Sequence, residues 1–116
     1  MTEPKTKYRK ANKYGAKPIG THASHKEHAR ANQLKLWQRA GVISNLREQV
    51  PYELIPAHRF EDGTLEHACR YIADFVYTDN ETGQTVVEDT KGYRTKEYII
   101  KRKLMRFIHG IRIKEV

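Results

Sequence analysis

The chain has 116 residues, 31% charged and 38% hydrophobic, with a formal net charge of +8. That length predicts one domain with a modest core. No apolar run approaches the ~20 residues of a membrane span. No apolar leader is visible, and Cys69 is the only cysteine. An intrachain disulfide is therefore excluded, which fits a cytoplasmic protein.

The charge is uneven. The first forty residues hold ten Lys/Arg and two acids, and the rest holds twelve of each. A basic arm on a neutral body is a footprint of polyanion binding. The competing reading is a solvated tail that aids solubility. Residues 1–20 read as a flexible arm and 21–116 as the folded domain. The arm combines six Lys/Arg, among them Lys10, Lys13 and Lys17, with Pro4, Pro18, Gly15 and Gly20. It has too little apolar surface to fold alone. Tyr8 and Tyr14 interleave with the bases, where they can stack on a nucleic acid.

The predicted elements follow in order. Ser24 with Glu27 forms a capping box that starts the first helix, in which each side chain satisfies the other's free N–H. Ala31, Leu34, Trp37 and Ala40 make its apolar stripe, and Gly41 stops it. Residues 47–55 form a strand with Val50, Tyr52 and Leu54 on one face. His58–His67 is polar, with a turn at Asp62-Gly63. Arg70–Tyr77 is the second strand, Thr78–Gln84 a hairpin loop, and Thr85–Lys91 the third strand. Thr95 caps a second helix that stops at His109-Gly110, and Ile111–Val116 forms a last strand. The order predicts an α/β fold with a small mixed sheet. The hairpin is antiparallel, and the helical crossover returns the last strand parallel to a neighbour.

Period-two alternation puts Val87, Asp89 and Lys91 on one face of the third strand and Glu88 on the other. On the second strand it puts Ile72, Asp74 and Val76 together. Asp74 is a lone acid in an apolar strand, which costs stability unless it is paired or metal-bound. A hairpin that brings Asp74 toward Asp89 creates a repulsion that Mg²⁺ or Mn²⁺ relieves. Such a cation can contact a phosphate and acidify a water, and Lys91 can orient that water or stabilise developing charge. The matching reaction is phosphodiester hydrolysis. The competing reading of a D-x-K is an ordinary surface ion pair; the partner acid Asp74, the following Gly92 and the order of elements weigh against it.

Asp74…Asp89-x-Lys91-Gly92 within an αβββαβ order resembles the PD-(D/E)xK nuclease superfamily and its restriction-endonuclease-like core. More narrowly, KYGAK, SHKEHAR, AGVISNLREQVPYELIP, YIADFVY, VVEDTKG and YIIKRKLM, in that order, resemble a family of small phage and prophage proteins catalogued as domain of unknown function 1064. Ala73 stands where the motif's name has proline. The resemblance implies that Asp74 and Asp89 bind the metal and that Lys91 assists catalysis. It offers Glu27 as a further metal-binding acid, in competition with its capping role. It also offers Gln49 as a polar residue near the scissile phosphate. Lys101, Arg102 and Lys103 resemble a DNA-contacting run, for which the alternative is a solvated helix face. His22, His25 and His28 are spaced by three but have no accompanying cysteines, so zinc is not expected. The expected function is a Mg²⁺-dependent DNA endonuclease of phage DNA metabolism in a bacterial host. It would be structure-selective and homodimeric, as for a Holliday-junction resolvase. The alternative is a non-catalytic DNA-binding protein on the same fold.

Overall fold

Two helices and a four-stranded mixed sheet organise the chain in the computed structural model, which describes residues 22–116, with side chains from residue 25. The predicted arm, with Lys10, Lys13 and Lys17, lies outside the described residues. Helix α1 covers His22–Arg39. Strand β1 (Ile43–Ile55) follows, then the short β2 (His58–Arg59) and β3 (Leu65–Glu66), and then β4 (Cys69–Asp79) and β5 (Thr85–Asp89). Helix α2 (Lys96–Leu104) continues into one π-helical turn, Met105–His109, and β6 is Lys114–Glu115. The sheet order is β1-β4-β5-β6. The β1–β4 and β4–β5 pairs are antiparallel, and β6 returns parallel to β5.

Local chemistry accounts for these elements. Thr95 caps α2 as expected, its hydroxyl accepting from the Tyr98 N–H. Gly110, at φ +69°, closes the helical segment in the left-handed conformation that glycine adopts without strain. The Asp62-Gly63 turn closes a small β2–β3 hairpin where only a polar loop was expected. The Asp62 carboxylate accepts from the Thr64 N–H inside that turn.

The sheet separates two apolar clusters. Under α1 lie Ala31, Leu34, Ile43, Phe75 and Tyr77, with Trp37 at the margin. Under α2 lie Leu54, Tyr71, Ala73, Val76, Val87, Tyr98, Met105 and Ile113, joined by Val50 and Tyr52. The predicted β1 face of Val50, Tyr52 and Leu54 thus packs as one surface.

Four expectations are corrected. Helix α1 begins at His22 and runs through Ser24, so Ser24 does not stand at the helix start where a cap would. Ala40 is exposed, because the chain leaves the helix for the turn at Gly41 (φ +84°) and the stripe ends at Trp37. Strand β1 starts at Ile43 rather than residue 47; Asn45, at φ +56°, breaks the alternation that would mark those residues as strand. Ile72, Asp74 and Val76 do not share a face. Ile72 is exposed, whereas Val76 is buried in the same cluster as Tyr71 and Ala73, so alternation fails across Asp74.

Candidate active site

Glu88 and Asp89 are consecutive on β5, so their side chains leave the sheet on opposite faces. Glu88 is fully buried on the α1 side. Arg30 donates to it twice, from Nε to Oε1 at 2.9 Å and from Nη2 to Oε2 at 2.6 Å. The Tyr77 hydroxyl also donates to Oε2. Such a fork-shaped, charge-assisted pair satisfies both carboxylate oxygens. The pairing raises the pKa of the Arg30 guanidinium, which also lies 4.9 Å from the centre of the Trp37 ring.

Asp89 is 3% exposed and points to the α2 side. Its Oδ2 accepts from the Tyr71 hydroxyl at 2.5 Å. Its Oδ1 forms an ion pair with Lys91 Nζ at 3.1 Å. Among the described residues, that buried oxygen has no donor besides this ammonium. Burial raises the Asp89 carboxyl above its usual range. The Tyr71 hydrogen bond opposes the rise, the Asp74 charge adds to it, and Lys91 opposes it.

Asp74 is held where the β4–β5 ladder stops. The last paired residues are Phe75 and Glu88, one step short of Asp74 and Asp89. Beyond them Thr90 turns toward β4 and donates to Asp74 Oδ2 from its N–H at 2.9 Å and its hydroxyl at 2.8 Å. Asp74 Oδ1 faces Gln49 Nε2 at 3.4 Å, and the same amide nitrogen donates to Glu27 Oε2 at 3.0 Å. Gln49 lies between the paired residues Glu48–Phe75 and Val50–Ala73, with φ +54°. A non-glycine residue in that conformation costs on the order of 1 kcal/mol, so the amide is held in place at some expense. Freed from capping, Glu27 faces the sheet half-buried. Its carboxyl is raised first by burial, then by the charges of Asp74 and Asp89.

Lys91 completes the group. Its ammonium sits 4.2 Å from the centre of the Tyr98 ring, a cation–π contact that fixes the long side chain. The Tyr98 hydroxyl donates to Glu115 Oε2 at 2.7 Å. Arg94 and Arg102 also bind Glu115, and the hydrogen bonds from Arg94, Tyr98 and Arg102 hold its carboxyl down to about 2. Burial raises the Tyr71 and Tyr98 hydroxyls above the usual tyrosine range, so both remain donors.

A family model described as "Protein of unknown function (DUF1064)" matches residues 5–113. The chain belongs to that family. The match takes in Glu27, Gln49, Asp74, Asp89 and Lys91 and stops just before β6. No curated protein and no solved structure matches the chain.

In this DUF1064 chain, Glu27, Gln49 and Asp74 are joined by hydrogen bonds, and Asp89 stands beside Lys91. Among the described residues, no three His, Cys, Asp or Glu side chains stand together as a metal-holding group. The Gln49 amide, lying between Glu27 and Asp74, accounts for part of that separation. The predicted basic run splits. Lys101 pairs with Glu97 at 3.1 Å and flanks a hollow beside Cys69 and Arg70, whereas Lys103 lines a different hollow. Tyr71, Thr90, Tyr98 and Arg30 were not anticipated. Thr90 had a signal, as the central residue of Asp89-x-Lys91. Tyr71 had none beyond its place in an aromatic strand.

Proposed function

We propose that this protein is a metal-dependent DNA endonuclease of the PD-(D/E)xK type, with Asp74, Asp89 and Lys91 at its centre and Glu27 beside them. The observation that carries this reading is Asp89: a buried carboxylate with one oxygen held only by the Lys91 ammonium, and repelled by a second acid. Left alone, that arrangement costs stability. A hard divalent cation would offset that cost, and the residues that would hold it, Asp74, Asp89 and Glu27, offer carboxylate oxygens of the kind such a cation takes. Bound there, Mg²⁺ or Mn²⁺ would neutralise phosphate charge and acidify a water.

The chain's own residues do the rest. Tyr71 fixes Asp89 through Oδ2 and leaves Oδ1 available. Thr90 clamps Asp74 through Oδ2. Gln49 keeps Glu27 and Asp74 apart from direct contact, and withdrawal of its amide would free an oxygen on each. Lys91, steadied over Tyr98, orients the attacking water or stabilises charge on the phosphate. Branched DNA as the substrate and a homodimer as the cutting unit belong to the same reading, because Holliday-junction resolvases are among the members of the superfamily that the motif resembles. The resemblance to phage and prophage proteins supports a role in phage DNA metabolism.

Incubating the full chain with linear and branched DNA, in Mg²⁺ and in EDTA, tests the proposal. Cleavage in Mg²⁺ alone is expected. Binding without cleavage of any substrate would refute it and favour a non-catalytic DNA-binding protein.

A further inference from the structure

A second charged surface begins beside the candidate site. Arg102 and Lys103 on α2, Arg106 in the π-helical turn, and Arg112 and Lys114 on the segment entering β6 all line one open groove. Among the described residues its only acid is Glu115, already engaged by Arg94, Tyr98 and Arg102. Among the described residues, Lys103, Arg112 and Lys114 have no acid within ion-pair distance. Arg106 gives one N–H to the Gly110 carbonyl, which leaves most of its donors unused.

The local structure presents these charges outward. Ile113 is buried in the core, so its neighbours Arg112 and Lys114 point away from it. Residues two apart on an extended segment stand ~6.6 Å apart, and Lys103 and Arg106 lie about one helical turn apart. The cations thus form two rows along an open groove rather than a nest converging on one point. Rows suit a repeating anion; a nest would suit a single phosphate. The groove is also close to the candidate centre: Glu115 pairs with Asp89 in the β5–β6 ladder, and Tyr98 touches both Glu115 and Lys91.

We propose that this groove carries the phosphodiester backbone of the nucleic acid that flanks the bond held at Asp89 and Lys91. The inference rests on the reading that the chain acts on nucleic acid, and it names where the flanking strand lies.

The test measures DNA affinity by fluorescence anisotropy, in EDTA, over a series of salt concentrations. It compares the full-length chain with Arg112→Gln/Lys114→Gln and with Lys35→Gln/Arg39→Gln, an equal charge loss on exposed residues of α1. Each lost phosphate contact lowers the log–log salt slope by about 0.9. The groove variant should therefore lose a slope of about 2 and bind on the order of tenfold or more weaker at low salt, whereas the α1 variant stays near wild type. Arg112→Lys/Lys114→Arg should retain wild-type slope and affinity, which separates charge loss from misfolding. Equal losses in both neutralised variants, wild-type affinity in the groove variant, or absence of DNA binding by the wild type overturns the proposal. A groove-dependent loss of binding in a protein that cleaves nothing leaves the groove standing and removes only the nuclease reading.

Discussion

Glu88 and Asp89 are adjacent residues of the same strand, yet they sit in opposite physical situations. Glu88 is enclosed by α1 and has a fork-shaped arginine and a tyrosine hydroxyl to satisfy it. Asp89 is nearly as buried but has one tyrosine donor, one ion-paired lysine and a second acid nearby. The first arrangement is complete within the protein. The second leaves one oxygen to a lysine alone and keeps a second acid close enough to repel it. Burial of a carboxylate therefore does not mark a site by itself; an unmet hydrogen-bonding demand does.

The largest expected effect falls on the completed side. Arg30→Met leaves Glu88 buried without its counter-charge and should cost about 3 kcal/mol of folding stability, read by urea denaturation. Adding Glu88→Leu should restore most of that loss. A neutral single variant would mean that the two acids do not differ as described.

On the other face the sign reverses. The Asp89 carboxyl titrates above its ordinary 3.8 in the fold, so the folded chain keeps a proton that the unfolded chain releases. Its contribution to stability falls as pH rises from that ordinary value through the raised one. At pH 7 in EDTA, Asp89→Asn should melt a few degrees higher than wild type, on the order of 4 °C for 1 kcal/mol. A lower melting temperature would contradict the account.

Gln49→Leu should bind Mn²⁺ several-fold more tightly by calorimetry, because no amide then competes for Glu27 and Asp74. Weaker binding would make Gln49 a supporting residue rather than a competitor. The smallest effect belongs to Glu115. Its pairing contributes stability above the ordinary carboxyl value of 4.5, and this is lost as pH falls toward about 2. Glu115→Gln should flatten the acid limb of the melting curve.

Much of the architecture was legible because periodicity reports burial. The α2 cap, the β4–β5 hairpin, the parallel return of β6 and the opposite facing of Glu88 and Asp89 all followed from local pattern. What was hidden lies in contacts between distant residues. Nothing near Arg30 announces Glu88, and nothing near Tyr71 announces Asp89. Alternation also misled at Asp74, where β4 changes which residues face the core, opposite the left-handed Gln49. Ser24 and Glu27 match a capping box, but the helix simply begins earlier, and that frees Glu27 to meet Gln49. Two of the failures, at Glu27 and at Asp74, fall where the candidate chemistry is, as expected where local rules yield to function; the other two fall at the α1–β1 turn.

The central claim is that the unmet demand at Asp89 serves hydrolysis. Its most direct test is the single-turnover cleavage rate of Asp89→Asn in Mg²⁺, with DNA saturated by protein and binding measured in parallel. The account predicts cleavage at least about 10³-fold slower with DNA affinity retained. A wild-type cleavage rate in this variant would contradict it.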